Sequence, residues 1–167
     1  ALGDLVTLRR GRVMSKGFLS ENTGMFPVYS SQTANDGMIG SIDTYDFDGE
    51  YISWTTDGAN AGTIFYRKGK FSITNVCGLM TLKDEFKNNL FLPFLNEIID
   101  FKKIATGTDN KKVMTNVVLN SNILLKIPVN SKGEFDLEAQ KEIAEKYRKI
   151  EQIKKSISAE LDKIANI

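Results

Sequence analysis

The chain has 167 residues, of which 41% are hydrophobic and 26% are charged, and its formal net charge is +1 at pH 7. These values exclude a disordered chain and indicate one soluble domain, or one domain with an appended element. The sequence has no histidine and a single cysteine, Cys77, which excludes an internal disulfide, histidine-based catalysis and Cys-rich zinc sites. We expect a cytoplasmic protein without membrane contact, because no signal peptide and no apolar run of spanning length is present.

The first half of the chain carries the pattern of a curled β-sheet. Leu2–Leu8 suits either a short helix or a strand, and a basic, glycine-containing loop follows it. Short β-like runs separated by turn residues come next, at Phe26–Ser30, Gly37–Ile42, Glu50–Thr55, Thr63–Arg67, Lys70–Thr74 and Val76–Leu82. The Asp36-Gly37 and Asp48-Gly49 pairs are tight-turn signals. Such short, closely spaced strands predict a compact and mostly antiparallel sheet that curls.

One helix is predicted directly after the sheet. Leu90–Ile104 has the apolar spacing of a helix, Asn88 or Asn89 can cap its N-terminus, and Gly107 is expected to follow its end. A polar loop then leads to a strand-like run at Ile123–Val129.

A long helix is predicted at the C-terminus. From Asp136 to Ile164 the sequence has no glycine and no proline, and Asp136 is a good N-cap. Apolar residues recur there at alternating steps of four and three, interrupted only by Lys154, and they are the predicted dimerisation residues Ile143, Tyr147, Ile150, Ile157, Leu161 and Ile164. The whole pattern predicts an α+β fold, with a small curled sheet and flanking helices in residues 1–133 and a coiled-coil-type helix in residues 134–167.

The motifs that could support catalysis are incomplete. The carboxylates in Asp43–Glu50 lack the spacing of a calcium loop and are interpreted as a solvated turn. The acid-x-Lys triplets Glu85–Lys87 and Asp100–Lys102 match a nuclease signature, but no Asp follows any of the three prolines to complete a metal site. The chain also lacks the Pro-Pro-aromatic loop of adenine methyltransferases and any phosphate-binding glycine loop. We predict no catalytic residue and no metal site, and a nuclease or methyltransferase fragment stays the alternative.

Polar side chains cluster in three loops, and basic residues cluster in the first segment. Amide side chains pair with adenine edges, and Lys or Arg pairs with guanine edges or phosphates, although ordinary surface turns have a similar composition. The predicted DNA-contacting residues are Arg9, Arg10, Arg12, Lys16, Ser31, Gln32, Thr33, Asn35, Thr56, Asn60, Thr108, Asn110, Lys111 and Lys112. Among them the predicted readers of base edges are Gln32, Asn35, Asn60 and Asn110, and the basic residues are expected to bind phosphates.

The order of these elements resembles the specificity subunits of type I restriction–modification systems. The resemblance is carried by Leu2–Leu8, by Phe26–Ser31, by Tyr51–Ile64, by Gly107-Thr108 with Lys111-Lys112 and Leu125–Pro128, and by Leu137–Ala144, which is similar to the start of the family's spacer helix. One departure is Ser30, which stands where the family usually has glycine. Another is that family members usually carry two recognition domains and two helices, whereas this chain has one of each. The resemblance leaves two alternatives, a half-subunit that pairs with itself or a fragment of a two-domain subunit.

The resemblance implies a non-catalytic domain that reads one half of a split site in double-stranded DNA. A modification subunit would methylate adenine with S-adenosylmethionine, and a restriction subunit would use ATP and Mg²⁺ for translocation and cleavage. The C-terminal helix, roughly 45 Å long, would separate two recognition domains by about one turn of DNA or slightly more. The remaining alternative is a coiled-coil assembly module without DNA binding.

Overall fold

A computed structural model describes all 167 residues and shows one mixed sheet flanked by helices. The strands are β1 (Val6–Arg10), β2 (Thr23–Tyr29), β3 (Met38–Ile42), β4 (Phe47–Thr55), β5 (Ile64–Ile73) and β6 (Cys77–Leu82). The helices are α1 (Leu2–Leu5), α2 (Lys16–Glu21), α3 (Leu92–Ile98), α4 (Thr115–Asn120) and α5 (Leu137–Ala165). The strand order is β1-β6-β4-β5-β2-β3, and every pair is antiparallel except β2 with β5. The predicted α+β class is therefore confirmed.

The sheet is strongly curled. Strands β5 and β6 lie on opposite sides of β4 and both run antiparallel to it, yet only Thr74–Val76 connects them. A connection between strands of the same direction in a flat sheet needs a dozen or more residues. The short connection requires the β4–β5 hairpin to bend back toward β6, and a small core of Phe71, Ile73, Cys77 and Leu79 fills the inside of this bend. Burial raises the pKa of the Cys77 thiol to about 11.

The main core lies between the sheet and helices α1, α3 and α4. Its central side chain is Trp54, which is 1% exposed and stacks edge-on against Phe101 with ring centroids 5.3 Å apart. Trp54 Nε1 also donates a hydrogen bond to the backbone oxygen of Val113 at 2.7 Å. Gly78 is required beside this ring, because a Cβ there would lie 2.2 Å from Trp54 Cζ2. Trp54 thus attaches the segment of residues 101–113 to the end of β4.

Two predicted strand boundaries are wrong. The runs Thr63–Arg67 and Lys70–Thr74 are one continuous strand, β5, because Gly69 pairs with Gly49 inside the ladder instead of forming a turn. Gly49 accordingly lies within β4, which begins at Phe47. Glycine in a strand often marks a bend in a coiled sheet, which is its position in this hairpin. The basic loop of the first segment also contains an unpredicted helix, α2, which is capped by the side chain of Ser15.

The prediction of a helix over Leu90–Ile104 is also wrong, because the observed helix is shorter at both ends. It is α-helical only from Leu92 to Ile98 and is preceded by Phe91 at the N-cap, not by Asn88 or Asn89. Ile99 is extended, and Asp100 then accepts a hydrogen bond from Lys102 N to start a separate 3-10 turn at Phe101–Ile104. The run Ile123–Val129 forms no strand, and only Val129 makes an isolated bridge, with Phe135.

The long C-terminal helix is confirmed. Asp136 caps α5 as predicted, and its Oδ1 accepts a hydrogen bond from Ala139 N at 3.0 Å. Only Gln140 and Ala144 of this helix are buried, and every residue from 145 onward is exposed. Among the predicted dimerisation residues Ile143 is half-buried, and the others, Tyr147, Ile150, Ile157, Leu161 and Ile164, are 41% to 64% exposed. Their apolar stripe therefore has no partner within this chain. The division of the chain between residues 133 and 134 stays a prediction.

Candidate nucleic-acid interface

The three polar loops singled out in the sequence meet at one edge of the fold. We call them loop A (Ser30–Gly37), loop B (Asp57–Gly62) and loop C (Thr106–Lys112). Loop B closes the β4–β5 hairpin and contacts both of the others. Asn60 Nδ2 donates a hydrogen bond to the backbone oxygen of Ser31 at 3.2 Å, which joins loop B to loop A. The backbone N–H of Gly58 donates to the oxygen of Lys111 at 2.9 Å, which joins loop B to loop C.

The β5–β6 turn, Thr74–Val76, connects these loops to the basic first segment. Thr74 Oγ1 is hydrogen-bonded to Ser30 Oγ at 2.8 Å, at the start of loop A. On the other side, Arg10 Nη2 donates to the backbone oxygen of Asn75 at 3.5 Å. Both Arg10 and Asn75 are exposed. We define the recognition surface as loops A, B and C, this turn and Arg10.

Loop A has an unusual backbone. Asn35, Asp36 and Gly37 follow one another with φ values of 53°, 52° and 85°. A positive φ is uncommon outside glycine and persists only where surrounding contacts impose it. One such contact comes from Gln32, whose Nε2 donates to the backbone oxygen of Met38 at 2.5 Å across the loop.

The second contact on loop A comes from the buried Arg67, in the middle of β5. Its Nη2 donates to the backbone oxygen of Asp36 at 2.6 Å, and its Nε donates to Ser53 Oγ at 3.0 Å. The guanidinium lies 3.6 Å from the ring centroid of Tyr29 and 4.4 Å from that of Phe65. Arg67 is 6% exposed and forms no salt bridge, and burial lowers its pKa below the ordinary value. Arg67 therefore fixes the conformation of loop A from below.

Two predicted DNA-contacting residues are committed to internal contacts. Thr56 is fully buried, and its hydroxyl is hydrogen-bonded to Asp57 Oδ2 at 2.6 Å, so it is not on the recognition surface. Gln32 uses its amide N–H groups on the backbone oxygens of Ala34 and Met38. A paired contact with adenine needs an amide donor. Gln32 offers none unless loop A opens, so we remove both residues from the predicted set.

The other predicted loop residues lie on the recognition surface. Thr33, Asn35, Thr108, Asn110, Lys111 and Lys112 are exposed, and Ser31 and Asn60 are half-buried. Lys112 Nζ lies 3.9 Å from Asp57 Oδ1, which neutralises part of its charge, whereas Lys111 forms no ion pair. Loops A, B and C therefore present amide, hydroxyl and ammonium groups over one continuous area.

The four basic residues of the first segment do not form one patch. Arg9 and Arg10 are consecutive on β1, so their side chains point to opposite faces of the sheet. Arg12 Nε donates to Asp46 Oδ2 at 2.8 Å in a partly exposed ion pair. Lys16 is exposed at the start of α2. Of the four, only Arg10 donates a side-chain hydrogen bond to the turn that borders loops A and B, whereas Arg12 meets Thr74 of that turn through its backbone.

Three residues of this region were missed in the sequence. Asn75 sits in a turn, and Arg67 lies in a strand whose pattern does not reveal a buried charge. Lys102 is exposed beside loop B, where its backbone N would lie 2.9 Å from a Cβ added to Gly62. Asn75 and Arg67 have no local sequence signal, because contacts between distant segments bring them to their places. Lys102 belongs to the acid-x-Lys triplet Asp100–Lys102, whose pattern pointed to a nuclease signature and not to this surface.

The structure groups no three His, Cys, Asp or Glu residues in a way that could hold a metal ion. None of its helices is both long and apolar enough to cross a membrane.

Comparison with known proteins gives a consistent result. A family model of the type I restriction modification DNA specificity domain matches residues 1–163. A type I specificity subunit of Mycoplasma pneumoniae is 36% identical over 160 residues, which are 96% of this chain and 41% of that protein. The specificity subunit of the type I restriction enzyme MpnII from the same organism is 47% identical over 95 residues, 57% of this chain and 28% of the relative.

A solved structure shares the fold. The S subunit of a type I restriction–modification system from M. genitalium superposes with a TM-score of 0.54 and 17% identity, over 68% of this chain and 30% of that one. The chain thus spans less than half the length of these three proteins. Specificity subunits are the non-catalytic components of type I systems. Because the family model matches nearly the whole chain, this chain belongs to the family of type I restriction–modification DNA specificity domains.

Proposed function

We propose that this chain binds double-stranded DNA and reads one half of a split recognition site through the recognition surface. The observation that supports this most is the meeting of three polar loops and Arg10 at one edge of a curled sheet. Hydrogen-bonding side chains on loops that a rigid scaffold holds in place are suited to reading base edges. The net charge of +1 provides little general attraction for DNA, so binding depends on these local contacts.

The surface divides into base-reading and phosphate-binding groups. Asn35, Asn60 and Asn110 carry the amide groups that pair with adenine edges. Arg10, Lys111 and Lys112 carry charges that suit phosphate contacts, and Thr33, Thr108 and Ser31 add hydroxyl groups. With three phosphate contacts, the logarithm of the binding constant is expected to fall with the logarithm of salt concentration with a slope of about −2.7.

Helix α5 pairs, in this proposal, with the same helix of a second specificity domain. Its apolar stripe is exposed over three heptads and cannot be buried within the chain. The relatives are longer than this chain, and their extra length has room for a second domain. Two domains joined through their helices would read the two halves of one site, and this chain alone is expected to form dimers.

The chemistry belongs to partner subunits in this proposal. A modification subunit supplies adenine methylation with S-adenosylmethionine, and a restriction subunit supplies cleavage with ATP and Mg²⁺. The chain then needs no cofactor of its own and works on genomic DNA in the cytoplasm.

Co-expression with a type I modification subunit from the same genome tests the proposal. We expect a stable complex that methylates adenine at a split DNA sequence, and we expect the modification subunit alone to methylate no such sequence. A chain that only self-associates, with no DNA affinity at low salt and no methylating complex, would be an assembly module, and the proposed function would be wrong.

A further inference from the structure

Helix α5 is attached to the rest of the molecule only at its beginning. Gln140 and Ala144 are its only buried residues, and the whole segment of residues 145–165 is exposed. That segment is about 30 Å long at 1.5 Å per residue. A tilt of about 10° at its base would move its far end by about 5 Å, which exceeds the rise of about 3.4 Å per base along DNA. The direction of α5 is therefore decided by the contacts of its first two turns, where Gln140 lies beside the start of α3 and Ile143 and Ala144 pack against the main core.

Gln140 makes the most specific of these contacts. It is fully buried, and its side chain bonds to backbone groups just before α3. Gln140 Oε1 accepts a hydrogen bond from Phe91 N at 2.9 Å, and its Nε2 donates to Asn89 O at 3.0 Å. The side-chain amide of Gln140 thus makes one accepting and one donating bond to the backbone of Asn89–Phe91, as the backbone of a neighbouring β-strand would. Both bonds are directional, and leaving their partners unpaired in a buried place is costly.

A second attachment point lies one turn earlier. Asp136 N donates to the backbone oxygen of Pro128 at 2.9 Å, and Phe135 beside it lies against Phe86 with ring centroids 6.3 Å apart. Asp136 and Gln140 are about 6 Å apart along the helix axis. Asp136 and Gln140 hold the first turn, and Ile143 and Ala144 add apolar packing against the main core. Among these contacts the two bonds of Gln140 are the only hydrogen bonds from a side chain of α5 to the rest of the domain, and because hydrogen bonds are directional they set the angle most sharply.

We propose that Gln140 is a positioning residue that sets the number of base pairs between the two half-sites. It contacts no DNA and fixes the angle at which α5 leaves the recognition domain. This inference rests on the proposed function, because it assumes that paired α5 helices hold two recognition domains on one DNA molecule.

The mechanical part is tested on this chain alone. Spin labels on T44C and K163C, both exposed positions, report the distance between the sheet and the far end of α5. Labelled chains are diluted into excess unlabelled chains, so that only distances within one chain are measured, and the buried Cys77 is replaced by alanine in all samples. We expect one narrow distance distribution for the native helix and a broad one for Q140A. The matched control is Q152A, an exposed glutamine of the same helix, which should leave the distribution narrow.

The functional part uses the complex with the modification subunit. DNA substrates differ only in the number of base pairs between two fixed half-sites. We expect the unsubstituted complex to prefer one spacing over its neighbours by about tenfold, because other spacings require deformed DNA. Q140A should lose most of this preference while keeping its preference for the half-site sequence. A residue that only stabilised the fold would lower methylation equally at every spacing.

The results of these two experiments distinguish failure of the positioning role of Gln140 from failure of the proposed function. A narrow distribution for Q140A, or a broad one with unchanged spacing preference, would overturn the inference. If the unsubstituted complex methylated no split site, the proposed function would fail, and with it the spacing role, even if the labels showed that Gln140 directs the helix. Q140M is the second variant should Q140A fold poorly, because it keeps a side chain of similar length in the buried site and loses both hydrogen bonds. We expect the same broadening from Q140M.

Discussion

Loops A and C belong to the same surface but are built in opposite ways. Loop A holds consecutive residues at positive φ, and the side chains of Gln32 and Arg67 donate hydrogen bonds to backbone oxygens that fix its shape. Loop C is closed by a reciprocal pair of backbone hydrogen bonds between Thr106 and Lys112, at 2.9 and 2.8 Å. The side chains between those two residues are all exposed.

Under the proposed function, this difference predicts what each loop contributes to DNA recognition. Loop A contributes a fixed shape that depends on buried residues, so substitutions there should change the free energy of unfolding. Loop C contributes free side chains, so substitutions there should change DNA binding and leave stability alone. Four substitutions test this distinction, from the largest expected effect to the smallest.

Substitution R67A should have the largest effect. It removes two hydrogen bonds from a buried charged donor and the stacking on two aromatic rings, so we expect the free energy of unfolding to fall by about 3 to 5 kcal/mol. Urea denaturation measures this. K68A, which removes an exposed neighbour in a surface ion pair with Glu50, should stay within about 0.5 kcal/mol of the unsubstituted chain. If R67A lost less than about 1 kcal/mol, loop A would not depend on Arg67.

Substitution N110A should act on DNA recognition alone. We expect discrimination at one base pair of the half-site to fall by about 1 to 3 kcal/mol, because an amide pairing with a base edge is lost. The free energy of unfolding should change by less than about 0.5 kcal/mol. Methylation or binding of half-site variants measures the effect, and N116A, an exposed asparagine on α4, is the control. Unchanged base preference would exclude Asn110 as a reader.

Substitution G37A tests the backbone of loop A without removing any side chain. Gly37 has a φ of 85°, and a Cβ there would lie 3.1 Å from Arg67 Nη2. We expect a loss of about 1 to 2 kcal/mol, because an L-residue in this conformation is strained. G17A, on helix α2 with ordinary space around it, should be neutral or slightly stabilising. Equal melting temperatures for both variants would contradict a strained loop A.

Substitution K111A should have the smallest effect. It removes one phosphate contact, so we expect weaker binding to all DNA sequences alike and a salt slope shallower by about 0.9. Binding titrations at several salt concentrations measure the slope, with K155A on the distant helix α5 as the control. A change in base preference would instead make Lys111 a reader of guanine.

Local patterns were sufficient for part of the fold. Helix α5 was predictable because its cap at Asp136, its lack of glycine and its apolar spacing are all local features. Strand β5 was not, since whether Gly69 turns or stays in the ladder depends on Gly49 across the hairpin. The helix after the sheet ended early for a local reason that the apolar spacing did not reveal, because Ile99 is extended and Asp100 starts a separate turn.

The candidate site was predictable as a set of loops but not as a set of contacts. The sequence places amide and hydroxyl groups after strands, and the structure brings those loops together. The sequence alone cannot show that Gln32 bonds to Met38, that Thr56 is buried, or that Arg67 reaches Asp36 from another strand. Such partners are chosen by tertiary packing, which no local pattern records.

The bond from Trp54 to Val113 has a practical consequence. Trp54 is the only tryptophan in the chain, it is buried, and its indole N–H bonds to the residue that follows loop C. Its fluorescence therefore comes from a single, defined place beneath the recognition surface. Any ligand that shifts loop C alters the hydrogen bond to the indole and with it the emission wavelength, so the native protein carries its own optical reporter of binding.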